Sequence, residues 1–175
     1  MQHFGYSKES GIPYDIVFTK SKYIGRTFIQ NLQSKRENLV SLKLNPLGET
    51  IKNKKIILID DSIVRGTTTA NLIKLLKNAG AKEVHLRIAA PPFIDVCYFG
   101  TDVDNKETLI AHNRTIDEIR EKIGADSLEY LSLESLTQIT RDCKVNGFCQ
   151  GCFTGKYPVE VPEKIEKDKF EKIKL

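Results

Sequence analysis

The stretch IILIDDSIVRGTTT, Ile56 to Thr69, sets four apolar residues directly before two adjacent carboxylates and a short run rich in Gly and Thr. With Lys54 and Lys55 ahead of it, the apolar run has strand length, and its lack of polar alternation predicts burial on both faces, as in a parallel sheet. Beyond the Thr run, ANLIKLLKNAGA carries Leu72, Leu75, Leu76 and Ala79 at helical spacing, and Gly80 is placed to end the helix. EVHLRIAA, Glu83 to Ala90, reads as a second buried strand closed by Pro91 and Pro92, which cannot donate to a ladder. Strand, turn, helix, strand is a βαβ unit, so the fold class is α/β, a parallel sheet flanked by helices.

Upstream, GIPYDIVF (Gly11 to Phe18) is extended or strand in its second half. TKSKYIGRTFIQ (Thr19 to Gln30) mixes Lys20, Lys22 and Arg26 around Gly25 and reads as a basic, mobile loop, followed by a polar linker ending in LNPLGE. Downstream, Asp104 is placed to cap a short helix through KETLIAHN. Thr115-Ile116-Asp117-Glu118 is a capping box that starts a helix ended by Gly124. SLEYLS is then a short strand and LESLTQIT a helix. The chain turns loop-like from Cys143 to Pro158, and EKIEKDKFEKIKL is a charged amphipathic surface helix. The expected division is one domain over 1–158 and a helical, charged tail over 159–175.

The 175 residues suit a single core, and 40% hydrophobic with 29% charged residues is an ordinary globular composition. A formal charge of +4, without a clustered basic stripe or interleaved aromatics, argues against nucleic acid and suits a small anionic ligand. No run approaches the roughly 18 apolar residues of a membrane helix, and MQHFGYSKES lacks the apolar core of a signal peptide. The cytoplasm is the expected compartment, with no membrane partner.

In an open parallel sheet, ligands bind beyond the carboxyl ends of the strands, so topology aims the residues after Ile59 at a crevice. Asp60 and Asp61, being adjacent, diverge along an extended chain and suit two nearby oxygens or a hydrated cation. From Ser62, through Ile63, Val64 and Arg65, to Gly66, Thr67 and Thr68, the chain turns into the helix. Gly66 permits close backbone approach, and helix-start amides and Thr hydroxyls donate hydrogen bonds, which makes an anion site. Acids that repel phosphate beside a cradle that attracts it imply a phosphate separated from a polyol, the layout of a ribose 5-phosphate. An Asp or Thr alone would be explained as a helix cap, but that does not account for two acids, a Gly and three Thr together. A Walker-type loop does not fit, since no GxxxxGK[ST] pattern is present.

Cys149-Gln150-Gly151-Cys152 is a CxxC, with Cys143 upstream and Cys97 after the Pro pair. Three readings compete. A thioredoxin-like dithiol expects a helix start after a strand, whereas FCQGCFTGKYP is surrounded by Gly and Pro. Four thiolates would suit a closed zinc site, and the third reading is an iron–sulfur cluster. His3, His85 and His112 are isolated and read as surface or strand histidines.

Ile57 to Thr69 resembles the phosphoribosyl pyrophosphate signature of type I phosphoribosyltransferases, and DDSIVRGTT is similar to that of the amidophosphoribosyltransferase family. The similarity continues through ESGIPY, KYIGRTFI, LKLNP, NAGAKEVHLRIAAPP, GADSLEYLSLE and CFTGKYP, nearly the full chain. The resemblance implies a type I phosphoribosyltransferase-like sheet and transfer of an amino group to phosphoribosyl pyrophosphate, opening de novo purine (IMP) biosynthesis. It implies that Asp60 and Asp61 act on the ribose hydroxyls and Mg²⁺, that Ser62 to Thr68 hold the 5-phosphate, and that the basic loop with Lys22 and Arg26 closes over pyrophosphate. One branch carries a 4Fe-4S cluster whose ligands match Cys97, Cys149 and Cys152. Cys143 has no matching position.

The family's glutaminase domain, with its N-terminal Cys nucleophile, has no counterpart here, nor does the start of the transferase domain. The expectation is therefore an N-terminally truncated domain, fed by ammonia or a separate glutaminase part. An open sheet edge would pair with a missing N-terminal fragment or with a second copy. Two other readings are a non-catalytic sensor of phosphoribosyl pyrophosphate and an iron–sulfur interaction protein.

Overall fold

The structure, a computed structural model, describes residues 2–20, 44–101, 103, 105–141 and 147–161. Lys22, Arg26, Asp104, Cys143 and the charged tail from 162 onward lie outside the described residues.

Helix α1 (Gln2–Ser10) leads through an extended stretch to β1 (Phe18–Lys20), which pairs antiparallel with β2 (Leu44–Pro46). One helical turn, α2 (Gly48–Ile51), precedes β3 (Lys55–Asp60), and α3 (Thr67–Asn78) crosses to β4 (Glu83–Ile88). After a 3₁₀ turn at Lys106–Thr108 come α4 (Ile116–Ile123), β5 (Ser127–Tyr130), α5 (Leu133–Ile139) and α6 (Gly151–Thr154). The strands β3, β4 and β5 form a parallel sheet in that order, with Asp60 beside Ile88 and Ile88 beside Tyr130. The βαβ unit is therefore present.

The core lies between this sheet and α3 and α4. Ile73 and Leu76 of α3 meet Ile119 and Ile123 of α4 over Val84, Leu86, Ile88 and Leu128. The buried face of α3 runs through Thr69, Ile73 and Leu76, so the stripe expected on Leu72 and Leu75 is rotated toward Ile73. Capping at α4 follows the sequence: Thr115 Oγ1 accepts from the Glu118 amide, Glu118 accepts from the Thr115 amide, and Gly124 closes the helix at φ 75°. Cutting Leu76 to Ala would cost about 3 kcal/mol, since both transfer and cavity terms apply at a fully buried site.

Several elements depart from the sequence reading. Among the described residues the strand β3 is not buried on both faces: it ends the three-stranded sheet, and Ile56 to Asp60 are only half-buried. A cleft of about 530 Å³ runs along it, lined also by α1 and the stretch after it, with Tyr6, Ile12, Ile16, Ile57 and Ile59 among its walls. The strand β4 alternates: Val84, Leu86 and Ile88 face the core, while Glu83, His85 and Arg87 form a polar row. In that row Lys55 pairs with Glu83 at 2.8 Å, His85 joins Glu83 to Ser127, and Arg87 donates to Ser127 Oγ at 3.0 Å. This chain of polar contacts ties the three strands together, as expected for a strand histidine.

The helix expected through KETLIAHN is only the 3₁₀ turn, capped by Asn105. Leu109, Ile110 and Ala111 instead enter the core, which a regular exposed helix there would prevent. The polar linker contains β2 and α2, and Cys152 lies on the short α6 in the Gly- and Cys-rich segment. No helix among the described residues is long and apolar enough to cross a membrane.

Candidate functional site

The strand β3 carries Asp60 to the carboxyl end of the sheet, where the Asp60 carbonyl accepts from the Ala89 amide at 3.0 Å and extends the ladder past β4. Asp60 is half-buried and Asp61 exposed, and the two carboxyl groups stay close enough to interact directly, so they do not diverge as an extended chain would have them. The Asp61 amide donates to Asp60 Oδ1 at 3.0 Å, and Ser62 Oγ lies 3.5 Å from Asp61 Oδ1. Burial pushes the Asp60 carboxyl above its ordinary value, and the charge of Asp61 adds to the effect, against the opposing Asp61 amide. A carboxylate held this way gains from a cation. Two carboxylates are what Mg²⁺ uses when substrate oxygens and water complete its shell. Among the described residues no group of three or more His, Cys, Asp or Glu is placed to hold a metal unaided.

From Asp61 the chain turns through Ser62, the buried Ile63, Val64 and the exposed Arg65 to Gly66, at φ 80° and ψ −10°. Gly66 is the cap of α3 and offers no side chain to its first-turn amides. Those amides, with the hydroxyls of Thr67 and Thr68, are open to an anion at a helix start of positive dipole. The glycine is required twice over. Its φ is left-handed, and a Cβ there would run into Ile110 Cδ1. The buried Thr69 and the bond from the Ala70 amide to the Gly66 carbonyl, 2.9 Å, anchor the turn to the helix.

The structure thus brings Asp60, Asp61 and Ser62 to Thr68 into one turn, and Lys22 and Arg26 lie outside the described residues. Ile110 was missed from sequence: its amide donates to the Val64 carbonyl at 2.8 Å, and its side chain packs on Gly66. Nothing in the stretch around position 110 signals a partner so far back along the chain.

The cysteines gather elsewhere. Cys97 and Cys152 pack on the small cluster of Phe93, Val103 and Leu109, while Cys149 is exposed. The carbonyl of Cys152 accepts from the amides of Ile94 and Asp95 at 2.9 and 3.1 Å. Phe153 meets Phe93, and Tyr157 donates to the Val96 carbonyl at 2.7 Å. Burial raises the Cys97 thiol, but the amides of Thr101, Phe99 and Gly100 outweigh it and bring its pKa to about 7. Burial and the neighbouring Cys97 push Cys152 up to about 11.

Residues 5–91 match the phosphoribosyl transferase domain family. The chain is 48% identical over 165 residues to the amidophosphoribosyltransferase of Synechococcus elongatus, covering 94% of this chain and 33% of that protein. It is 50% identical over 159 residues to the Archaeoglobus fulgidus amidophosphoribosyltransferase, covering 90% of this chain and 35% of the other. Among solved structures, the glutamine phosphoribosylpyrophosphate amidotransferase from B. subtilis complexed with ADP and GMP superposes with a TM-score of 0.77 at 44% identity. That match covers 91% of this chain and 36% of the other. The chain spans about a third of the length of these relatives. A strand-end acid pair leading into an uncapped helix start, within this fold and at this identity, places the chain in the amidophosphoribosyltransferase family, where it matches the C-terminal phosphoribosyltransferase part of longer members.

Proposed function

We propose that this chain forms the phosphoribosyl pyrophosphate site of an amidophosphoribosyltransferase, which moves an amino group onto that substrate to give 5-phosphoribosylamine at the start of de novo purine synthesis. The observation that carries the reading is the turn from Asp60 to Thr68, two carboxylates at a strand end followed by a left-handed glycine that opens a helix without a capping side chain. In this reading the first-turn amides and the hydroxyls of Ser62, Thr67 and Thr68 bind the 5-phosphate, and Ile63 to Gly66 shape the cradle. Asp60 and Asp61 accept hydrogen bonds from the ribose hydroxyls and hold Mg²⁺. When bound, Mg²⁺ supplies charge neutralisation on the pyrophosphate.

Breaking the bond between the anomeric carbon and pyrophosphate builds positive charge on the ribose and negative charge on the leaving group. Positioning and electrostatics therefore carry most of the rate. Lys22 and Arg26 stabilise the departing pyrophosphate. Ammonia is already nucleophilic, so the site needs no general base. The amino group comes as free ammonia or from a separate glutaminase part.

The cleft beside β3 supports self-association or pairing with another polypeptide at the edge of the partial domain of 1–158; residues 159–175 are its charged tail. Four cysteines in 175 residues are too few for a secreted disulfide scaffold and suit a reducing compartment, the cytoplasm. Cys97, Cys149 and Cys152 supply three soft thiolate donors to a 4Fe-4S cluster, with the fourth ligand from elsewhere. Such a cluster, when bound, would pin the segment from Cys149 to Tyr157 to the Phe93 region. Iron and acid-labile sulfide in anaerobically purified protein test that assignment.

Calorimetric titration with phosphoribosyl pyrophosphate, with and without Mg²⁺, tests the site. Saturable Mg²⁺-dependent heat that is lost in Asp60→Asn and Thr68→Ala is expected, and no heat from the folded wild-type chain sinks the reading. Binding with no turnover when ammonia is added would favour the sensor instead.

A further inference from the structure

The anion turn is shaped by a segment far along the chain. The Val64 carbonyl accepts from the Ile110 amide at 2.8 Å, and Ile110 Cδ1 fills the space that any side chain at position 66 would need. Ile110 is 2% exposed, between Leu109 at 1% and Ala111 at 5%, in a stretch that is neither helix nor strand. Buried backbone of that kind must find donors for its carbonyls outside regular structure.

Arg114 supplies them. Its Nη1 donates to the Ile110 carbonyl at 3.1 Å and lies 3.5 Å from that of Leu109. Arg114 is itself held from behind, because the next residue is Thr115, locked by its capping box at the start of α4. A planar guanidinium can address two neighbouring carbonyls at once, which a lysine ammonium does less well.

We infer that Arg114 is a positioning residue for the phosphate end of the site: it clamps Leu109 and Ile110, and Ile110 in turn sets the Val64 to Gly66 turn. The inference rests on the reading of Ser62 to Thr68 as the 5-phosphate cradle. An anion held by converging amides is sensitive to small displacements of the backbone, so loosening the clamp weakens phosphate binding without touching the ligand. The pyrophosphate end is held by other groups and is unaffected.

The test compares the full chain with Arg114→Ala and Arg114→Lys by two readouts. The first is amide hydrogen exchange; the second is calorimetric affinity for ribose 5-phosphate and, separately, for Mg²⁺-pyrophosphate. In Arg114→Ala, amides 62–68 exchange about tenfold faster while β4 keeps its protection, and the Kd for ribose 5-phosphate rises about tenfold with that for pyrophosphate unchanged. Arg114→Lys keeps a cationic nitrogen with N–H donors for these carbonyls and stays within about threefold of wild type. Unchanged exchange over 62–68 overturns the inference. So does equal weakening of both ligands together with lost protection in β4, which would mark a general loss of stability. If the wild-type chain binds neither ligand, the functional reading fails, and loop exchange alone still decides the role of Arg114.

Discussion

Asp60 and Gly66 show how the turn proposed to bind phosphate conflicts with stability. Asp60 sits half-buried beside another carboxylate, and its pKa is raised by burial first and by Asp61 after it. Because the native pKa lies above the ordinary 3.8, the charged form is disfavoured by folding, and the penalty is present at neutral pH and relieved as pH falls. Asp60→Asn is therefore expected to raise the unfolding free energy of the free chain by on the order of 1 kcal/mol while abolishing Mg²⁺-dependent binding. Urea unfolding checks the first half and calorimetry the second; a less stable Asp60→Asn chain would show that the carboxylate is no burden. At Gly66 strain and crowding act together, so Gly66→Ala should cost about 3 kcal/mol and remove phosphate binding. A wild-type Tm in that variant would contradict the geometry.

Among the elements, the sheet is registered by polar contacts as well as by its core. The Val84 amide donates to Asp126 Oδ2 at 2.7 Å, and Lys77 of α3 lies 3.3 Å from the same oxygen. The Val84 amide chiefly, with Lys77, holds the Asp126 carboxyl below its ordinary 3.8, against the opposing effect of burial. With the native pKa below the unfolded one, the contribution is full above 3.8 and is lost as pH falls through the depressed native value. Asp126→Asn should thus be less stable than wild type at neutral pH by on the order of 1 kcal/mol, a figure already reduced for solvent screening. The gap should close in acid below that value. Denaturant titrations at neutral and acid pH measure both, and a difference that persisted in acid would assign the effect to packing.

For the whole molecule, the feature with consequences is the cleft along β3. Half-buried Ile57 and Ile59 line the cleft beside β3, the last strand of the described parallel sheet, and the backbone edge of such a strand is a template for pairing. The chain alone is expected to self-associate through it, and Ile57→Lys, a charge on the edge, to shift the population toward monomer. Sedimentation velocity reads this directly. A wild-type chain that remains monomeric at high concentration would show the edge to be closed by other residues.

The βαβ unit, the capping box at Thr115 and the acid pair with its Gly and Thr turn were all legible in the order of residues. They rest on local physics: apolar periodicity, helix-end hydrogen bonding and the conformational freedom of glycine at position 66. The edge position of β3 was not legible, because an apolar run looks the same whether or not a neighbour covers it. Nor was the fate of Leu109 to Ala111, whose helical spacing lost to burial against Gly66 and Val64. Residue types along the chain supplied the groups proposed to meet a sugar phosphate. Only the tertiary structure decided what holds them in place, since that depends on contacts between segments whose separation leaves no periodic trace.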